Sequence, residues 1–359
     1  MRGLSRRGLN RAMLARQLLL SRAAMPAYDA VEHLVGMQSQ APLAPYVGLW
    51  SRLAGFEAAE LSRLTAEREV VRVHLMRNTI HLVSARDCLR LHRLFSSVHA
   101  REHSSRFARY IKGIDLDELL AAAREVLDER PRTRAELGRV LGERWPGIDP
   151  SALAYTVSHL MPVLQVPPRG LWGAGGPAAF ASVESWLGRP VDDAPDVDRL
   201  VLRYLAAFGP ASVSDVQIWS GLTRLREVVD RLGLPLLRDE SGQELIDLPD
   251  APRPDPDMPA SPRFLPEYDN LLLAYADRSR VIEDGRKVPL PPGGGAATGT
   301  LLVDGMWRGT WKITGGVLSI DTFAPLPAAD RAAVLAEGHG LVRFAAPEAE
   351  SHDVVIRGS

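Results

Sequence analysis

The feature that most constrains this chain is an internal repeat. Pro131-Arg-Thr-Arg-Ala-Glu-Leu137 and Pro210-Ala-Ser-Val-Ser-Asp-Val216 share the spacing Pro-x-Ser/Thr-x-x-acid-aliphatic, about eighty residues apart. In each, the hydroxyl residue can cap a helix while the acid three positions on reaches back to the cap, so that two orphan N–H groups are satisfied reciprocally. The surroundings repeat as well. The first motif follows LDELLAAAREVLDE (residues 116–129), apolar at helical spacing, and precedes a further helix in SALAYTVSHLM and a Gly/Pro-rich hairpin candidate, LQVPPRGLWGAGG (residues 164–176). The second follows VDRLVLRYLAAFG and precedes the helix TRLREVVDRLG and two short strands around a Ser-Gly turn in LPLLRDESGQELIDLP. Helix, capped helix, third helix and β-hairpin is the order of a winged helix-turn-helix.

The N-terminal third reads as a looser copy. Helices are expected at residues 11–22, 27–37, 46–53 and 58–65, a hairpin in VVRVHLMRNTIHLVS (residues 70–84), and one long helix over residues 85–111. Beyond the Pro-rich stretch at 249–262, a linker or an extended wrap, the segments FLPEYDNLLLAYADR, GTLLVDGMWRGTWKI and LVRFAAP read as a small β-rich module with a short helix at 328–337. The expected fold class is α+β and mainly helical. Winged-helix units are expected at 8–84, 115–188 and 196–248, and domain boundaries at 1–114, 115–190, 191–250 and 251–359.

At 359 residues the chain is long enough for two to four modules. A 46% hydrophobic fraction with 24% charge describes a folded protein. No stretch approaches the roughly 20 apolar residues of a membrane helix. Cys88 is the only cysteine, which excludes an intrachain disulfide and a cysteine-based zinc site and fits a reducing cytoplasm. Six arginines precede Asp29, as in a transit peptide, but Arg16 and Gln17 interrupt any apolar run and the segment continues into a helix, so it reads as part of the fold. The net charge of −1 hides a segregation: residues 1–114 carry 18 basic and 8 acidic side chains, the remainder 25 and 36. That asymmetry points to a polyanion-binding N-terminal third.

Several motifs invite chemistry. His99-Ala-Arg-Glu-His103 matches H-x-x-E-H, which on a helix puts two imidazoles on one face; the basic continuation SSRFARYIKG and the lack of a third ligand favour a basic face over a metal, and no metal or other cofactor is expected. Gly293-Gly-Gly-Ala-Ala-Thr-Gly299 lacks the lysine of a phosphate loop and leads into a strand-like TLLV. No Ser/His/Asp or Cys/His context for a nucleophile stands out. Gln38-Ser39-Gln40 lies where the second helix is expected to end before Ala41-Pro42. Two amides at i and i+2 point to one side of an extended exit and could be aimed at one small target; equally, they could do no more than satisfy backbone groups at the helix end.

Assembled, VEHLVGMQSQAP, LMRNTIHLV, FLPEYDNLLLAYADR and LLVDGMWRGTW resemble the AlkZ/YcaQ-like DNA glycosylases of the winged-helix DNA-binding superfamily, nearly end to end. The resemblance implies three tandem winged helices plus a C-terminal β-module in an open C shape, and excision of N7-alkylated purines, in some members with unhooking of interstrand crosslinks as self-resistance to DNA-alkylating antibiotics. The family's catalytic motif is Gln-x-Gln or Gln-x-Asp, so Gln38 and Gln40 match the first form; Ser39 departs from the aliphatic residue usual between them. Duplex DNA carrying alkylated purines is the implied partner, with a monomeric, membrane-free, nucleoid-associated protein. Arg72, Arg77, His81, Arg101 and Arg106 are candidate phosphate contacts, and Trp307 and Arg308 candidates to reach a groove. The competing readings are a winged-helix regulator, disfavoured by three units in one chain, and a family member that binds DNA without cutting it.

Overall fold

The computed structural model describes residues 3–283, 285–286 and 298–358; most of the glycine-rich run, residues 293–297, lies outside them. The chain is mixed α+β and forms two compact units: Met1–Glu57 with Leu200–Trp219 and Arg224–Ser359, and Ala58–Arg199 with Ser220–Thr223. The first 57 residues therefore belong with the C-terminal segments, and not with residues 58–114, as the expected boundary had them.

The cause is a set of buried polar side chains on the first helix, Arg6–Arg16, which Ser5 caps through its hydroxyl. Asn10 donates to the carbonyls of Arg280 (2.7 Å) and Gly305 (2.9 Å). Arg11 pairs with Asp304 and donates to the Met258 carbonyl at 2.6 Å. Arg16 grips both oxygens of Asp247, at 2.6 and 3.0 Å, and reaches the Pro252 carbonyl. The Pro-rich stretch thus lies along this helix, which binds two of its carbonyls, those of Pro252 and Met258. The expected helix at 11–22 begins and ends about five residues earlier, because its buried face is set by these arginines as much as by its leucines.

In the same unit the second capped motif is fully formed: Asp215 N–H donates to Ser212 Oγ at 3.1 Å, and Ser212 N–H to Asp215 Oδ2 at 2.8 Å. Leu236–Arg238 and Glu244–Ile246 make its hairpin. The C-terminal segments form a five-stranded sheet in the order Asp353–Gly358, Val317–Thr322, Met306–Thr314, Gly299–Val303, Arg263–Leu265. All neighbours are antiparallel except Val317–Thr322 with Asp353–Gly358. A parallel return needs a crossover, and the helix Ala328–Ala345 supplies it, burying Val334, Leu341 and Val342 against Phe264, Leu318 and Ile320. LVRFAAP is therefore largely the end of a helix, not a strand.

The second unit contains the first capped motif. Glu136 N–H donates to Thr133 Oγ1 (3.2 Å), and Thr133 N–H returns the bond to Glu136 (2.7 Å). Helices Leu116–Glu129, Arg134–Arg144 and Pro150–Leu160 bury Leu119, Leu137, Leu153 and Val157 around Phe180. The two hairpins of this unit merge: Val70–His74 pairs with Ile80–Ser84 on one side and Val163–Val166 on the other, and Ala179–Ser182 and Arg132–Thr133 extend the sheet. The helix expected over 85–111 is broken into Ala85–Leu91, a 3₁₀ turn His92–Phe95, and Ser96–Arg106; the tighter turn buries both His92 and Phe95.

This unit keeps an unusual number of imidazoles out of water. Burial pushes His74, His81 and His92 down to about 3 and His99 down to about 4. Each must stay neutral in the folded chain but charges when unfolded near pH 6.5. The stability they allow is complete above that pH and is lost as pH falls from about 6.5 toward about 4 and 3. Each should cost about 1.4 kcal/mol per pH unit in that window. Urea midpoints should drop steeply between pH 7 and pH 5; a midpoint that is flat or rises on acidification would contradict this account.

Candidate functional site

The helix that leads to the paired glutamines, Ala27–His33, stops well before Pro42. Gly36 N–H bonds back to the Val31 carbonyl (2.9 Å) and Val35 N–H to the Glu32 carbonyl (3.1 Å), the paired bonds of a left-handed C-terminal turn. Glycine normally takes the first left-handed position. Here it is Val35, at φ +55°, with Gly36 following at +89°. A β-branched residue in that region is a genuine outlier costing roughly 1–2 kcal/mol. The chain leaves the turn extended, as Met37–Gln38. The extended exit expected for the two amides is present, but a strained turn creates it, not the proline. Ser39 between them is completely buried, Gln38 is 7% exposed and Gln40 is exposed, so the pair spans the edge between interior and solvent.

Three elements of the same unit hold this segment. Asn270 donates from Nδ2 to the Gly36 carbonyl (2.8 Å) and accepts at Oδ1 from Gln38 N–H (3.3 Å). Its neighbour Asp269 receives Arg52 in a two-pronged pair, 2.8 and 2.9 Å, with both side chains at most 2% exposed. Arg52 ends the helix Ala44–Arg52 that follows the glutamines; it also donates to the carbonyls of Gly48 (3.0 Å) and Gln17 (3.1 Å). Gly48 packs closely on the segment: a Cβ there would stand 2.5 Å from Met37 Cε and would make that methionine end shift. Gln17, Met37, Gln38, Arg52, Asp269 and Asn270 line a recess with about 10 Å³ of room for a water-sized sphere. That is the lower limit of the roughly 10–15 Å³ one water needs, and far below what a purine needs. On the adjoining loop, burial raises the Glu267 carboxyl above its ordinary range, and Tyr268 is left-handed at φ +61°.

The structure separates the proposed phosphate contacts. Arg72 and His81 are corrected: on the paired strands Val70–His74 and Ile80–Ser84 they are 3% and 0% exposed, and Gly170 lies against the Arg72 side chain. His81, pushed down to about 3, carries no charge at neutral pH either. Trp307 is also corrected. It is 6% exposed, donates from Nε1 to the Gly309 carbonyl (2.8 Å) and packs edge-on against Phe323. Arg77 is half-buried at the hairpin tip, where it and Asn78 are both left-handed. Arg101 and Arg106 are exposed; Arg101 donates to the Gly221 carbonyl (2.9 Å), and Arg106 pairs with Glu102 (3.0 Å). Arg308 is partly exposed and paired with Glu283. His99 and His103 do share a helix, but their Nε2 atoms face the Leu75 carbonyl (3.0 Å) and Thr156 Oγ1 (3.1 Å). No cluster of three metal-ligating side chains occurs among the described residues. Cys88 is buried and pushed up to about 12, which rules it out as a nucleophile at neutral pH.

A model of the AlkZ-like DNA glycosylase family matches residues 31–344. The chain belongs to that family. Its fold matches that of Streptomyces sahachiroi DNA glycosylase AlkZ with a TM-score of 0.80, covering 99% of this chain and 100% of that one at 21% identity. No match is found among curated proteins. Among the described residues of this AlkZ-like protein, no helix is long and apolar enough to cross a membrane.

Sequence reasoning missed Asn270 and Asp269 as members of the glutamine site. The signal was present in FLPEYDNLLLAYADR, a polar Asp-Asn pair set against a leucine run, but nothing in the sequence ties that pair to a segment more than two hundred residues away. The Arg52–Asp269 pair separates structural from surface arginines. Arg52→Ala leaves a buried carboxylate uncompensated and should cost about 3–5 kcal/mol in urea unfolding. Arg106→Ala, at an exposed i, i+4 pair, should change stability by less than about 0.5 kcal/mol. Equal effects from the two would show that the buried pair does not organise this region.

Proposed function

We propose that this DNA glycosylase hydrolyses the N-glycosidic bond of N7-alkylated purines in duplex DNA, with Gln38 and Gln40 orienting the attacking water. The observation that carries the reading is the Gln38-Ser39-Gln40 segment itself: it leaves the short strand Met37–Gln38, with Gln38 lining a small recess and Gln40 exposed beyond it, in a chain of the AlkZ-like family. We read the three helix–helix–hairpin runs as winged helices that present the duplex. Arg77, Arg101, Arg106 and Arg308 are its candidate backbone contacts.

The chemistry suits amides. Alkylation at N7 makes the purine cationic, so cleavage of C1′–N9 sends the bonding pair to N9 and the base departs neutral. The sugar becomes oxocarbenium-like, and a water oxygen bonds to C1′. A glutamine side chain offers one carbonyl acceptor and two N–H donors. It can orient water through those groups, but it cannot take the proton as a strong base, so the proton passes to solvent. Positioning is then the main contribution, and substrates are restricted to lesions already destabilised by charge. The recess beside Gln38 has room for about one water and not for a base, which suits a role in holding the water. Crosslinked purines, tethered to the opposite strand and hard to flip out, fall within reach of such a site.

Gln38→Ala and Gln40→Ala should each slow release of 7-methylguanine by about a hundred- to a thousandfold, the usual consequence of losing one positioned donor, about 2.7–4 kcal/mol. Affinity for the duplex should hold within a few fold, since neither amide adds charge to phosphate contacts. Ser39→Ala should slow release far less than either glutamine variant. Full activity in the Gln38→Ala, Gln40→Ala double variant would overturn the reading; wild-type protein that binds alkylated duplex but never yields abasic sites would make it a DNA-binding module. Chelators should not affect the reaction.

The surface arginines generate a separate expectation. Arg101→Ala and Arg106→Ala should each weaken duplex binding and reduce the slope of log affinity against log salt by about 0.9 if each neutralises one phosphate. Unchanged slopes in both variants would remove these residues from the interface.

A further inference from the structure

We infer that Asn270 is a positioning residue for the reaction: it acts as a one-residue strand partner that fixes where the Gln38 amide points. The inference rests on the reading of Gln38 given above and adds a residue to it. The Asn270 carboxamide makes two bonds to one stretch of backbone, Nδ2 to the Gly36 carbonyl at 2.8 Å and Oδ1 from Gln38 N–H at 3.3 Å. A carbonyl and an N–H flanking one residue are what a neighbouring β-strand presents itself to. An asparagine side chain is the shortest group that carries both an acceptor and a donor in the spacing of a peptide.

The clamp sits where it matters most. The preceding residue pair, Val35 and Gly36, is left-handed, and Val35 holds that conformation at a cost. A strained turn relaxes unless its exit is held. Asn270 holds the exit on both sides of Met37, is itself only 5% exposed, and is fixed by Asp269, whose side chain caps the turn Asn270–Leu272 through Leu271 N–H (3.0 Å) while pairing with Arg52. Nothing else about Asn270 requires an amide. An aliphatic residue of similar size would fill the same buried volume, and only the paired bonds to Gly36 and Gln38 use its polarity.

The test compares single-turnover release of 7-methylguanine with duplex affinity in the full-length protein. Asn270→Ala should slow release by about ten- to a hundredfold, the effect of displacing a reacting group by an ångström or less, with dissociation constants within about twofold. Asn270→Asp, nearly isosteric, should be similarly slow, because its carboxylate can accept from Gln38 N–H but repels the Gly36 carbonyl; it covers the case in which the alanine variant folds poorly. In a Gln38→Ala background, Asn270→Ala should cost clearly less than in the wild type, since one of the amides it aims is gone and only Gln40 is left to displace. A purely structural role would lower the rate by the same factor in both backgrounds. Selective ¹⁵N labelling of the six glutamines gives an independent readout: the Gln38 backbone amide should shift and exchange faster in Asn270→Ala, while Gln165, Gln217 and Gln243 stay put. If Gln38→Ala is inactive but both Asn270 variants work at the wild-type rate, or if the Gln38 amide does not respond, the positioning role is refuted and the catalytic reading stands. If Gln38→Ala is itself fully active, both fall together.

Discussion

The glutamine site depends on one buried ion pair. Arg52 and Asp269 lie more than two hundred residues apart, yet each uses its remaining hydrogen-bonding capacity locally: Arg52 on the carbonyls of Gln17 and Gly48, Asp269 on the N–H of Leu271. Taking both charges out of water is costly, and the pair repays that cost only because its geometry is two-pronged and its further hydrogen bonds satisfy both groups. What it provides is registration. The helix end at Gln17, the helix Ala44–Arg52 after the glutamines and the turn carrying Asn270 are tied to one point, and the strained exit from Val35 is held between them. A hydrophobic pair could supply similar stability but not the same fixed orientation.

The same logic revises the charge segregation. The basic excess of the first 114 residues is real, but some of it never reaches solvent. Arg11, Arg16 and Arg52 are each at most 2% exposed and paired with Asp304, Asp247 and Asp269, and Arg22 pairs with Glu337. The excess of arginine in one segment and of acid in the other thus partly reflects internal salt bridges of one compact unit, whose positive and negative ends fall in different stretches of sequence. Charge counted along a sequence measures a potential on partners only after such pairs are removed, and here the surplus available to DNA is smaller than the sum suggests.

Local signals carried much of the fold. Both reciprocal caps were legible at Thr133/Glu136 and Ser212/Asp215, because a cap is decided within four residues, and the alternation around residues 70–84 was legible for the same reason. Non-local facts were not. Arg72 and His81 are polar residues in an alternating hairpin, but Arg72 lies opposite Leu82 and His81 opposite Val73, so they face different sides of the sheet, and what covers each face comes from segments distant in sequence, such as Gly170 against Arg72. LVRFAAP reads in sequence as part of the β-rich module, with the helix ending at 337, whereas the parallel return of Asp353–Gly358 needs a crossover, and the helix runs on to Ala345. Gln38 and Gln40 could be singled out, but the reason the chain turns extended before them lay in Val35-Gly36, and no propensity argument would place valine in a left-handed turn.

That misplaced valine bears on why the proposed chemistry uses amides. At 7% exposure a carboxylate in place of Gln38 would need a partner cation or would take up a proton, as the raised Glu267 carboxyl nearby illustrates. The nearby buried cation, Arg52, is already committed to Asp269. A neutral amide has no such requirement: it can be held in a buried strand behind a strained turn and still offer both a donor and an acceptor to a water. The limitation follows from the same physics. An amide polarises water weakly, so in the proposed reaction the energy to break the glycosidic bond has to come from the lesion, and a site built this way would discriminate damaged from undamaged purines by the charge on the leaving base before any contact reads its shape.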